Sequence, residues 1–154
     1  MIRVLGRSLL IVLAAASAAF ADAEPPARTR EDPDLGAAHA RIKARDWPGA
    51  VAVMQKAVAR APGNADYHNL LAYALRNSAN PDMALVFKHY GEALRIDPKH
   101  KGAHEYIGEA YLMTGDVARA REHLAALNKL CFFSCAEYRD LKQAIEEHEA
   151  RRRR

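Results

Sequence analysis

The sequence predicts an all-α protein, an α-solenoid of three stacked helix pairs closed by a capping helix. Three observations lead there. Over residues 34–130 apolar side chains recur at three- and four-residue spacing, and no stretch alternates with period two. Asp46-Trp47, Asp82-Met83 and Asp116-Val117 each open a helix after a short turn, at steps of 36 and 34 residues. Pro62 and Pro98 end two matching phrases, again 36 apart. A two-helix unit cannot bury its apolar face alone, so about three must stack to share a core.

Before the first helix comes an address. Arg3 and Arg7 flank the start of an apolar run over residues 9–19, followed by Ala19-Phe20-Ala21 and Ala21-Asp22-Ala23. Positive charge, a short apolar run and small-x-small sites are the layout of a secretory signal peptide. Residues 1–21 are therefore expected to be removed, with cleavage after Ala21 or Ala23, and the protein to be periplasmic or secreted. The run of about 11 residues is shorter than the roughly 20 that span a bilayer, so no integral membrane segment is expected in the mature chain. Removing Arg3 and Arg7 lowers the net charge from +4 to +2. Four of the remaining basic residues form the tail 151–154, and elsewhere the charges are mixed at short range. That pattern is a solvated helical surface, and no nucleic-acid partner is expected. Residues 22–33, with Pro25, Pro26 and Pro33, read as a flexible Pro-rich linker, and Asp34 as the first helix cap.

Residues 34–150 form the folded domain, with repeats at about 34–63, 64–99 and 100–130 and a cap at 135–150. In the third repeat Ile107-Gly108 stands ahead of Tyr111, Gly115-Asp116, Ala120 and Leu124. In the second, Leu70-Leu71 precedes Tyr90, Ala93, Asp97 and Pro98, with about three extra residues around 77–81. In the first, Ala50, Met54, Ala57 and Pro62 fit the second helix of a pair. These residues resemble the tetratricopeptide repeat family, with Ile107-Gly108 and Leu70-Leu71 at its Leu-Gly position and Tyr90 to Pro98 at its closing phrase. Small residues such as Gly108, Ala50, Ala93 and Ala120 would let paired helices approach closely. Ser134 with Glu137 reads as a capping box opening the last helix, whose inner stripe would be Tyr138, Leu141, Ala144 and Ile145.

The resemblance implies a concave groove built mainly from the first helix of each pair. By phase it would hold Leu35, His39, Ile42 and Lys43, then His68, Ala72, Leu75 and Arg76, then Glu105, Glu109, Leu112 and Met113. Family members that clamp a carboxylate use Lys, Asn or Arg at positions here taken by Glu105 and Glu109, so a clamp is not implied. An unknown protein or peptide segment with an apolar stripe and mixed charge is the implied partner.

Cys131 and Cys135 enclose Phe132, Phe133 and Ser134. In an exported protein such a pair is expected to form a disulfide, with the two phenylalanines plugging the end of the stack. The alternative is a C-x3-C site for copper or thiol redox chemistry, since thiolates are soft ligands. The seven histidines lie on different helices and predict no metal site. No phosphate loop, activated nucleophile or H-E-x-x-H motif is present, so neither an enzyme nor a cofactor is expected. The function expected is an adaptor or scaffold for protein–protein interaction, with metal handling or thiol redox through Cys131 and Cys135 as the alternative. The tail 151–154 reads as a frayed end complementing the helix dipole. The first repeat has no evident cap, which leaves self-association at that end as a third reading.

Overall fold

The computed structural model describes residues 32–154; the expected signal peptide and residues 22–31 of the linker lie outside them. Among the described residues there are seven α-helices and no strand. They are α1 (Pro33–Lys43), α2 (Trp47–Arg60), α3 (Ala65–Arg76), α4 (Met83–Ile96), α5 (Lys101–Met113), α6 (Val117–Leu130) and α7 (Ala136–Arg152). Short turns join them into three pairs, and α7 packs against both α5 and α6.

The helices start where polar side chains can satisfy free N–H groups. Asp46, Asp82 and Asp116 accept from Gly49, from Ala84 and Leu85, and from Arg119. Asn64 and His100 do the same for Tyr67 and Ala103 at the starts of α3 and α5. Asp32, not Asp34, caps α1: its Oδ1 accepts from Asp34 N at 2.9 Å and Leu35 N at 3.3 Å. Pro33 thus belongs to the helix, at the first position, where a missing N–H costs nothing. The capping box expected at Ser134 does not form. Cys135 takes the cap position with its side chain committed to a disulfide, and no side-chain cap bond is made. The helix then continues through Arg152, so half of the basic tail is helical rather than frayed; Arg151 lies 3.8 Å from Glu147.

Three apolar layers run along the array. Ala38, Met54, Ala57, Tyr67, Leu70 and Leu71 join α1, α2 and α3. Ala72, Val86, Tyr90, Ile107 and Ala110 join α3, α4 and α5. Leu112, Ala120, Leu127, Leu141 and Ile145 join α5, α6 and α7. The last layer is closed by the inner stripe expected of the cap, with Tyr138 and Ala144 at its margin. Ala50, Ala93 and Ala120 are fully buried, as close helix crossings require. Gly108 serves a different contact from the one expected: a Cβ there would lie 2.6 and 2.7 Å from the terminal carbons of Leu141. Its missing side chain admits α7, not the partner helix α6.

The turn before α6 uses Gly115 at φ 80°, and the matching turn before α2 places Arg45 at φ 55°. Left-handed backbone suits glycine and costs a side-chain-bearing residue of order 1 kcal/mol. The middle pair replaces this turn with its extra residues, where Asn77 and Ser78 bond back to the carbonyls of Tyr73 and Ala74. Phe132 and Phe133 do not plug the stack. They are 95% and 84% exposed, because α7 already covers the third layer and the ring closed by Cys131 and Cys135 stands outside it.

Candidate functional site

Side chains from α1, α3, α5 and α7 line three recesses, while a fourth, of about 390 Å³, lies between α6 and α7 among Val117, Arg121, Glu149 and Arg152. One of the three, of about 230 Å³, is bounded by Leu35, His39, Asp66, Asn69, Leu70, Gly102 and Tyr106. A second, of about 240 Å³, lies among Arg76, Glu109, Leu112, Met113, Ala144, Glu147, His148 and Arg151. A third, of about 340 Å³, is formed by Glu105, Glu109, Asp140, Gln143, Ala144 and Glu147. The last two share Glu109, Ala144 and Glu147, and α1, α3 and α5 are the helices from which the resemblance implied a groove.

Of the expected groove residues, His39, Arg76, Glu105, Glu109, Leu112 and Met113 line these recesses. Leu112 is only 8% exposed and belongs mainly to the third layer. Lys43 is exposed in the last turn of α1, outside all three recesses. His68, Ala72 and Leu75 are elsewhere: His68 is 5% exposed, Ala72 is fully buried and Leu75 packs between the first two layers. The reason is a one-residue phase error. Asn64 and His100 cap α3 and α5 at a step of 36, so Leu71-Ala72, not Leu70-Leu71, corresponds to Ile107-Gly108. The same step carries Glu109 onto Tyr73 and Glu105 onto Asn69, a recess-lining position that sequence reading missed. The interval between Pro62 and Pro98 already held that signal.

His68 has a different task. Its Nε2 donates to the carbonyl of Pro62 at 3.0 Å, which leaves its Nδ1 to accept from Nδ1 of His89 at 3.0 Å. The next repeat copies this: His104 Nε2 donates to Pro98 O at 3.1 Å, and its Nδ1 meets that of His123 at 2.9 Å. Each pair ties the closing proline of one repeat to both helices of the next. Burial, reinforced by the facing ring, holds the pKa of His89 below the usual imidazole value and brings that of His123 down to about 4.

Charge in the groove is unevenly shared. Arg76 is 9% exposed and donates to Glu109 Oε2 at 2.6 Å. Its guanidinium lies over Tyr73 and Tyr106, at 5.4 and 5.8 Å from the ring centres. Glu105 is 8% exposed and has no hydrogen-bond or ion-pair partner among the described residues. Burial pushes its carboxyl up to about 8, with help from the charges of Glu109, Asp140 and Glu137 and against that of Arg76. Asn69, 6% exposed, leaves its Oδ1 without a partner beside the first recess.

Cys131 and Cys135 are joined by a disulfide across Cα atoms 5.7 Å apart, so their sulfurs are bonded to each other. Among the described residues no three His, Cys, Asp or Glu side chains gather as metal ligands, and no helix is long and apolar enough to cross a membrane.

Comparison with known proteins follows the same lines. Residues 78–145 match the tetratricopeptide repeat family model. Two curated relatives from Arabidopsis thaliana are similar: the inactive TPR repeat-containing thioredoxin TTL3, 33% identical over 64% of this chain, and the TPR repeat-containing thioredoxin TTL4, 30% identical over 67%. The matches span only 14% of each relative's length. Among solved structures, the TPR2B domain in the pHsp70 complex of yeast Sti1 superposes with a TM-score of 0.68 at 20% identity. It covers 77% of this chain and 95% of that one. The type III secretion translocator chaperone SycD of Yersinia enterocolitica gives 0.67 at 14% identity, covering 79% and 85%. With the paired helices, the layered core and the family match in agreement, residues 78–145 are tetratricopeptide repeats, and the described residues have the fold of an array of them.

Proposed function

We propose that this chain is an exported, non-catalytic adaptor that holds a protein segment in the groove lined by α1, α3, α5 and α7. The observation that carries the reading is that α1, α3, α5 and α7 between them line three recesses, two of which share Glu109, Ala144 and Glu147. A groove with apolar side chains at Leu35, Leu70 and Tyr106 and fixed polar groups beside them suits a segment more than a small molecule, since it is long and open. The similarity to a TPR domain in complex with pHsp70 and to a translocator chaperone supports the same class of role. Export rests on the signal-peptide pattern of residues 1–23.

A photo-crosslinking amino acid at Asn69, compared with one at Lys88 on the exposed side of α4, tests the groove. Capture of one defined protein from Asn69 alone is expected; equal capture from both sites would overturn the assignment. Intact mass of the secreted fraction tests export. The mature protein should lack residues 1–21 or 1–23, and an unprocessed chain confined to the cytoplasm would end that part of the reading.

A further inference from the structure

We infer that the recess between α5 and α7 receives a lysine or arginine side chain of the bound segment, its cation seated against Glu105, Glu109, Asp140 and Glu147. The inference rests on the groove being the binding surface and adds what the groove selects.

Four carboxylates converge on that recess. The facing cation from α3, Arg76, is already committed to Glu109 and held between Tyr73 and Tyr106. Arg151 of α7 is no closer than 3.8 Å to Glu147. Glu105 is more telling than the count of acids. It is 8% exposed, lines the recess and bonds to nothing among the described residues. Its carboxyl group therefore meets only the recess and its acidic neighbours, and burial disfavours its charged form. An entering ammonium or guanidinium group donates hydrogen bonds to it, and the surrounding acids reject an anion in its place. The next residue, Tyr106, opens onto the recess beside α1 and α3, where Leu35, Leu70 and His39 can receive the neighbouring part of the segment. Adjacent residues of α5 thus line an acidic recess and a mixed one.

The groups facing Glu105 are Glu109 and Tyr106 on its own helix, Asp140 and Glu137 on α7, and Arg76 and Tyr73 on α3. In the free protein burial, with the charges of Glu109, Asp140 and Glu137 and against that of Arg76, raises the Glu105 pKa to about 8. A cation arriving there favours the carboxylate, so binding expels the proton into solvent. Below about pH 8 each pH unit then strengthens binding by up to tenfold.

The test selects a random dodecapeptide phage library on the full chain. Enriched peptides are then titrated calorimetrically at pH 6.5 and 7.5 in buffers of different ionisation enthalpy. A lysine or arginine should recur at one position, and norleucine there should weaken binding at least tenfold. Affinity should be about tenfold higher at pH 7.5, with close to one proton released, and Glu105→Gln should flatten the pH dependence while melting no lower than the parent. Peptides that bind without a recurrent cation, or whose affinity is indifferent to both Glu105→Gln and Asp140→Asn, would overturn this inference and leave the groove reading intact. No enrichment, or binding that survives Asn69→Ala with Tyr106→Ala, would overturn both.

Discussion

At the scale of single residues, the groove carries a cost that the core does not. Glu105 keeps its proton to about pH 8 in the folded protein, whereas an unfolded glutamate loses it near 4.3. Between those values the folded state binds more protons, so stability falls as pH rises through the window. Glu105→Gln removes that slope. The variant should be more stable than the parent by up to roughly 4–5 kcal/mol at pH 8 and no different near pH 4, as read by denaturant titration. Equal stabilities at pH 8 would mean the carboxyl is not held neutral. Gly108 is the opposite case, a residue whose absent side chain is the function. Gly108→Ala sets a carbon against Leu141 and should cost about 1–3 kcal/mol, and Gly108→Leu should loosen α7 altogether. Thermal melts unchanged by either would contradict the packing described.

At the scale of elements, two devices repeat with different fidelity. The turn between paired helices is glycine in the third unit and Arg45 in the first, at the same left-handed conformation. Arg45→Gly should therefore stabilise by about 0.5–1 kcal/mol, measurable as a rise in Tm, since the arginine side chain makes no hydrogen bond or ion pair among the described residues. The histidine pairs repeat closely, and they respond to acid. His123 resists protonation to about pH 4 when folded, while an unfolded histidine accepts a proton near 6.5. The folded state thus binds fewer protons in that window, and its stability falls as pH drops through it. Between pH 7 and 4.5 the parent should lose on the order of 2 kcal/mol more than His123→Gln; parallel losses would refute the role of the pair. Sequence alone reached the elements because apolar spacing and aspartate caps are local, and Asp46, Asp82 and Asp116 all fell where they were expected. It misplaced His68, Ala72 and Leu75 because adjacent leucines, 70 and 71, offer two phases that local pattern cannot separate. It could not foresee the histidine pairs, whose partners are 21 and 19 residues apart and meet only after the helices fold back. It also put Phe132 and Phe133 inside, since composition does not reveal that α7 has already closed the layer.

At the scale of the whole molecule, the domain is a stack in which each layer borrows a helix from the next unit. The third layer depends on α7 for Leu141 and Ile145, so truncation after Leu130 should expose Leu112 and Leu127 and drive aggregation, visible by light scattering. A soluble monomer from that truncation would show that α7 is dispensable. The layered plan was legible from the 34- to 36-residue step, while the acidic recess was not, because Asp140 and Glu147 join Glu105 only once α7 docks beside α5. That docking also gives α7 two neighbours at once, α5 and α6. A load pulling on Arg152 is therefore met first by the third layer, and the other two feel it only through α5.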